Sequence, residues 1–125
     1  MSLVTCLWSH EMTTCVFCKI AQGEIPAEVV YEDDHVLAFR DLNPQAPVHV
    51  LVIPRRHIAT INDLEPGDAE LVGRLYLAAR KVAAEAGLAT RGYRTVMNCN
   101  SEAGQSVYHL HLHVLAGRTM HWPPG

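Results

Sequence analysis

Two clusters of residue types carry chemistry in this chain. The first is "VYHLHLHVL", Val107 to Leu115, where His109, His111 and His113 sit at every second position with leucines between them. On a strand, successive side chains point to opposite faces, so the three imidazoles share one face while Leu110, Leu112 and Val114 share the other. Imidazole titrates near pH ~6.5 and can act as nucleophile, proton shuttle or metal ligand. An inert, solvent-exposed strand face is the bland alternative, but Thr or Val would serve it better than histidine. The second cluster is the C-x-x-C pair Cys15 and Cys18. It supplies half of a tetrahedral zinc site and needs two further N or S ligands. A C2H2 finger is excluded, because no H-x3-5-H pair follows at the required distance. A thioredoxin-like redox pair would normally follow a strand in a βαβ pattern, which this N-terminus lacks; two vestigial thiols are the remaining reading. Cys6 and Cys99 have no spaced partner and read as bystanders.

Elements must position these groups. At 125 residues the chain is one domain with a single modest core. The hydrophobic fraction is 49%, the charged fraction 18% and the net charge -3. Nothing in that balance points to nucleic acid or an anionic membrane as partner. No apolar run approaches the roughly 20 residues of a membrane span, and the N-terminus does not read as a signal peptide, so the cytoplasm is the simplest location. Residues 1 to 12 read as a flexible extension, with Met12 as an alternative start, and residues 13 to 125 as the domain.

"CVFCKIAQGEIP" predicts one or two helical turns ended by Gly23 and Pro26. "AEVVYED" and "HVLAFRD" predict strands separated by Asp33 and Asp34; "LNPQAP" is loop; "VHVLVIP" is the best strand of the first half, ended by Pro54. "NDLEPGDAELVGRLYLAARKVAAEAGL" predicts the one long helix, with Leu71, Leu75, Ala78, Ala79, Val82 and Ala86 on its apolar face and Gly87 as its C-terminal cap. "YRTVMNCN" is a strand, "SEAGQS" a loop, "VYHLHLHVL" the last strand and "AGRTMHWPPG" a tail. Strands and helices do not alternate regularly, so the fold class is α+β with a mainly antiparallel sheet. His10 and His35 read as surface residues, and His121 has no derivable role.

"HLHLHVL" matches the His-φ-His-φ-His-φ-φ signature, and the chain resembles the histidine triad family of nucleotide hydrolases and transferases. "FCKIAQGEIPAEVVYEDDHVLAFRDLNPQAPVHVLVIPRRHI", "GQSVYHLHLHVLAGR" and "MHWPPG" are similar to the branch of histidine triad nucleotide-binding proteins, the purine nucleoside phosphoramidases. The likeness runs over nearly everything from Cys15 to Gly125.

The resemblance implies a five-stranded antiparallel sheet with one long and one short helix, dimerising into a continuous sheet. The helix face around Leu71, Leu75 and Leu77 is consistent with such an interface. It implies His111 as the nucleophile that attacks the α-phosphorus, with His113 and His49 orienting it or relaying protons. Asp41 would receive the ribose hydroxyls, with Leu42 beside the nucleoside. Asn98, Gly104, Gln105 and Ser106 would hold the phosphate and leaving-group side, and Phe17, Ile20, Phe39 and Ile53 would clamp the purine. Trp122 would pack on the rim of the partner's site. Bacterial relatives that keep the C-x-x-C imply a structural zinc on Cys15, Cys18, His57 and His109.

The implied activity is hydrolysis of adenosine (purine) 5'-phosphoramidates to AMP and amine through a nucleotidyl-histidine, with purine nucleotides such as AMP and GMP as ligands. The residue types suit it. A neutral imidazole nitrogen is a competent nucleophile when its second nitrogen is held by a hydrogen bond. A departing amine needs a proton, which a neighbouring histidine or Ser106 can relay. Backbone N–H groups of "AGQS" can hold non-bridging oxygens. No magnesium-ligand cluster is evident and no nucleotide cofactor is implied, so no divalent ion is expected at the phosphate. Two other classes remain open: a dinucleoside polyphosphate hydrolase, against which the "HWPPG" end stands, and an AMP-binding sensor with weak turnover. A uridylyltransferase is disfavoured, since that branch replaces the third histidine by glutamine.

Overall fold

The computed structural model describes residues 14–125. The expected extension over residues 1 to 12, Met12, Cys6 and His10 lie outside the described residues.

The order of elements is α1 (Val16–Ala21), β1 (Val29–Glu32), β2 (Val36–Arg40), β3 (Val48–Pro54), α2 (Ala69–Glu85), β4 (Tyr93–Val96) and β5 (Leu112–Ala116). The five strands form one antiparallel sheet in the order β1-β2-β3-β5-β4. β2 and β3 are apolar at nearly every position because both faces of the sheet are covered. Val36, Ala38, Val50, Val52, Leu112 and Val114 face α2 and pack on Leu75, Ala78, Ala79 and Val82. Leu37, Phe39, Leu51 and Ile53 face the other way, onto Phe17 and Cys18 of α1. The strand register aligns Phe39, Leu51, His113 and Val96 in one row across β2, β3, β5 and β4. That row is the floor of the site described below.

The sequence-based boundaries need four corrections. The long helix begins at Ala69, because Pro66 and Gly67 lie in a 3-10 turn (Pro66–Asp68) that precedes it. Ala86 is exposed and Ala83 takes its place in the core. Leu75 is fully buried against the sheet, and Leu71 packs on the same core, so of the three leucines proposed for an interface face only Leu77 is exposed. β5 forms ladder bonds only from Leu112. Leu110 nevertheless keeps the alternation and is buried with Leu112 and Val114. Gly87 follows the helix at φ 75°, a conformation that favours glycine at a helix end. Among the described residues, no helix is long and apolar enough to cross a membrane.

Candidate active site and metal centre

The histidine face is not a wet surface. His109 is fully buried and His111 nearly so. The three imidazoles serve two adjoining clusters.

The first cluster holds Cys15, Cys18, His57 and His109, whose ligand atoms all lie within 4.8 Å of one another. Cys15 caps the N-terminus of α1, and a spacing of three around the first turn brings Cys18 to the same side. The Cys18 N–H donates to Cys15 Sγ at 3.3 Å. His57 follows the end of β3, and the backbone bond from Leu110 N to Ile58 O at 2.6 Å draws the two histidine-bearing segments together. Cys15 Sγ lies 3.3 Å and Cys18 Sγ 3.4 Å from His109 Nδ1, and Cys18 Sγ lies 3.2 Å from His57 Nδ1. Tetrahedral zinc would separate S and N ligands by about 3.5 Å. His109 Nε2 is 2.8 Å from the Pro54 carbonyl. A carbonyl only accepts, so the proton is on Nε2 and the Nδ1 lone pair faces the sulfurs, the arrangement a metal ligand needs. These residues fit a metal ion.

The second cluster begins with His111. Its Nδ1 lies 2.7 Å from the carbonyl of His109 and must donate to it, which leaves the Nε2 lone pair free. Phe17 packs edge-on against the ring at 5.1 Å between centroids. His49 has the opposite tautomer. The Gln45 backbone N–H donates to His49 Nδ1 at 3.0 Å, so in neutral His49 the proton is on Nε2. Nε2 then faces His113 Nδ1 at 2.9 Å and Asp41 Oδ2 at 3.4 Å. His113, accepting at Nδ1, carries its own proton on Nε2. Asp41, His49 and His113 also have metal-ligand composition. The Gln45 N–H, by occupying His49 Nδ1, puts a proton and not a lone pair toward the other two, so the set is held together by hydrogen bonds from His49.

Burial holds the His111, His49 and His113 pKa values below the ordinary imidazole range, with His113 pushed down to about 4, further depressed by the neighbouring His111 and His49. Asp41 opposes the shift at each. All three are neutral at pH 7. The unfolded chain takes up these protons near pH ~6.5 and the folded chain only lower, so folding stability should fall as pH drops from 6.5 toward 4. Urea midpoints across that range check this; a midpoint that stays constant or rises would contradict neutral buried histidines.

A cavity of about 320 Å³ opens over His111 and His113. Phe17, Ile20, Phe39, Asp41, Leu42 and Ser106 line it, as do Val16, Ile25, Leu51 and Val107, which sequence reasoning missed. Leu51 was findable, being two residues from His49 on the same face of β3. Ile53, expected in the purine clamp, is fully buried beneath α1 and does not line the cavity. Gln105, expected at the phosphate, is buried and committed elsewhere. Its amide donates to the carbonyls of Ala59 and Val107 and accepts from Asn100 N, so it braces the loop before the triad. Asn98, Gly104 and Trp122 do not line the cavity either, and Trp122 is 83% exposed. His35 is exposed as expected, and His121 is exposed too.

The HIT domain family matches residues 22–120. An uncharacterized HIT-like protein of Synechococcus elongatus is 54% identical over 110 residues, covering 88% of this chain and 96% of the relative. The purine nucleoside phosphoramidase of Escherichia coli K12 is 48% identical over 105 residues, covering 84% and 88%. The crystal structure of a HIT family hydrolase from Legionella pneumophila superposes with a TM-score of 0.88 at 60% identity, covering 90% of this chain and all of that one.

Proposed function

Since the chain belongs to the HIT domain family and is an enzyme of that family, we propose that it hydrolyses purine nucleoside 5'-phosphoramidates to the nucleoside monophosphate and an amine. The observation that carries this reading is the His111 hydrogen bond to the His109 carbonyl, which leaves Nε2 as a free lone pair at the cavity. Nε2 attacks the α-phosphorus, the phosphorus–nitrogen bond to the amine breaks, and a phosphoramidate to His111 forms. One P–N bond replaces another, so the step is close to balanced. The departing amine takes a proton, for which His113 Nε2–H is a donor that lines the cavity, with Ser106 as a further donor. Water then cleaves the nucleotidyl-histidine: its hydroxyl goes to phosphorus, its other proton restores His113 Nε2–H, and His111 leaves as the neutral imidazole.

Phe17, Ile20, Phe39 and Leu51 offer apolar walls for a purine, and Asp41 with the exposed Leu42 lines the same cavity and would meet the ribose. Zinc is the metal we assign to Cys15, Cys18, His57 and His109, because two sulfurs and two imidazoles suit it. Four protein ligands leave no open position, so its role is to fix structure. The E. coli relative carries the phosphoramidase name, which supports the same reaction here. Comparing turnover of adenosine 5'-phosphoramidate with that of a diadenosine polyphosphate decides it. A clear preference for the phosphoramidate is expected; preference for the dinucleotide would replace this reading with the sister hydrolase activity.

We further propose a homodimer in which Trp122 packs against the partner's leaving-group side. Its exposure in the single chain supports this. Pro123 and Pro124 prevent the tail from forming a ladder of its own. Deleting residues 119 to 125 should leave AMP binding nearly intact and shift the kcat/KM ratio between bulky and small amine leaving groups by about 1–3 kcal/mol at most. An unchanged preference, or a monomer at micromolar concentration, would count against it.

A further inference from the structure

The His49 tautomer depends on one backbone N–H in an irregular loop. Residues 41 to 47 contain no regular element. Their hydrogen bonds to one another are short-range: Asn43 N to Asp41 Oδ1 and the Gln45 side-chain amide to the Asn43 carbonyl. A tie from far along the chain comes from Arg118, 73 residues away, whose Nε and Nη2 both donate to the Gln45 carbonyl at 3.2 and 3.1 Å. Gly117, at φ 95°, lets the tail approach this loop; a Cβ there would stand 2.8 Å from Pro47 Cβ. Residue 45 is thus held from two sides, its carbonyl by Arg118 and its N–H by His49.

We propose that Arg118 is a positioning residue for the proton relay: by clamping the Gln45 carbonyl it keeps the Gln45 N–H on His49 Nδ1, and so keeps the proton on His49 Nε2, facing His113. Without the clamp, His49 is free to carry its proton on Nδ1. His49 Nε2 then presents a lone pair to His113 Nδ1, which is satisfied only if His113 moves its own proton to Nδ1. His113 Nε2 loses the proton it would give to a departing amine. No group leaves or enters the protein in this exchange; two protons change ring nitrogens.

The inference rests on the proposed reaction for its consequence but not for its geometry, and the test separates the two. In Arg118→Met, which keeps the length of the stem and removes the donors, ¹⁵N NMR of the histidine rings should show His49 moving from the Nε2-protonated form to a mixture. With an alkylamine phosphoramidate of AMP, kcat should fall on the order of tenfold more than with AMP p-nitrophenyl ester, whose leaving group needs no proton. Arg118→Lys, able to donate to the same carbonyl, should recover much of both signals. A His49 ring that stays Nε2-protonated in Arg118→Met overturns the clamp. A changed tautomer with equal losses on both substrates overturns its link to the leaving group. If the wild-type protein turns over neither substrate, the proposed reaction fails, and the ring spectra still decide the clamp.

Discussion

His111→Asn is expected to keep the fold and the affinity for AMP while losing turnover by roughly 10³-fold or more. The asparagine amide can still donate to the His109 carbonyl that now holds Nδ1, and it occupies less of the space against Phe17. What it lacks is the lone pair on a second ring nitrogen. The other histidines cannot substitute. His109 Nδ1 faces the cysteine sulfurs, His113 Nδ1 faces His49, and His49 Nδ1 is taken by Gln45. Rapid-quench trapping with peptide mapping should therefore find the nucleotide on His111 in the wild type and on no residue in the variant. A nucleotidyl adduct on any other residue would overturn the assignment.

The second large effect is expected at the cysteine pair. Protein purified without added metal should carry about one zinc per chain. Cys15→Ser should lower both metal content and Tm, the latter on the order of 10 °C. The cost is high because Cys15, Cys18 and His109 are buried, so a lost ion leaves two sulfurs and an imidazole crowded together out of water without the charge that would hold them. α1 has only six residues and contributes Phe17 and Cys18 to the core on its side of the sheet. Losing the ion would remove the link from that helix to His57 and His109. Because His109, whose ring would take the metal, also lends its carbonyl to His111, turnover should fall with it. Full metal content and an unchanged Tm in Cys15→Ser would refute the ligand set.

Much of this was legible in the sequence, and the pattern of success is physical. "VHVLVIP" is a strand over its whole length, because a β-branched run covered on both faces has no competing local preference. The triad's alternation separated chemistry from core correctly even at Leu110, which lies before the ladder begins. The C-x-x-C pair pointed to a metal site beside redox and vestigial readings, and the fold brings His57 and His109 to it as a set that could hold an ion. What the sequence hid were partnerships made in three dimensions. Gln105 was expected at the phosphate from the family resemblance of its loop; only the fold turns its side-chain amide toward Ala59 and Val107. Ile53 and Leu51 share a face of β3, and the placement of α1 decides which is covered and which borders the cavity. The Arg118 clamp joins two irregular segments, where periodicity carries no information. The helix starts later than the sequence suggests because Pro66, Gly67 and Asp68 form a 3-10 turn, tighter than an α-helix, ahead of Ala69.

The two-residue step between His109, His111 and His113 also sets where the chain can change length. Each of the three rings is read by a different set of partners, and the leucines between them belong to the opposite core. A single residue inserted or lost between 109 and 113 would send a leucine toward the cysteines or the cavity and a histidine into the apolar core, disabling metal centre, nucleophile and packing together. The segment from 97 to 106 has no such parity to keep, as its ends are joined by irregular chain and a short 3-10 turn. Over long descent, indels should therefore accumulate before the triad and be purged within it.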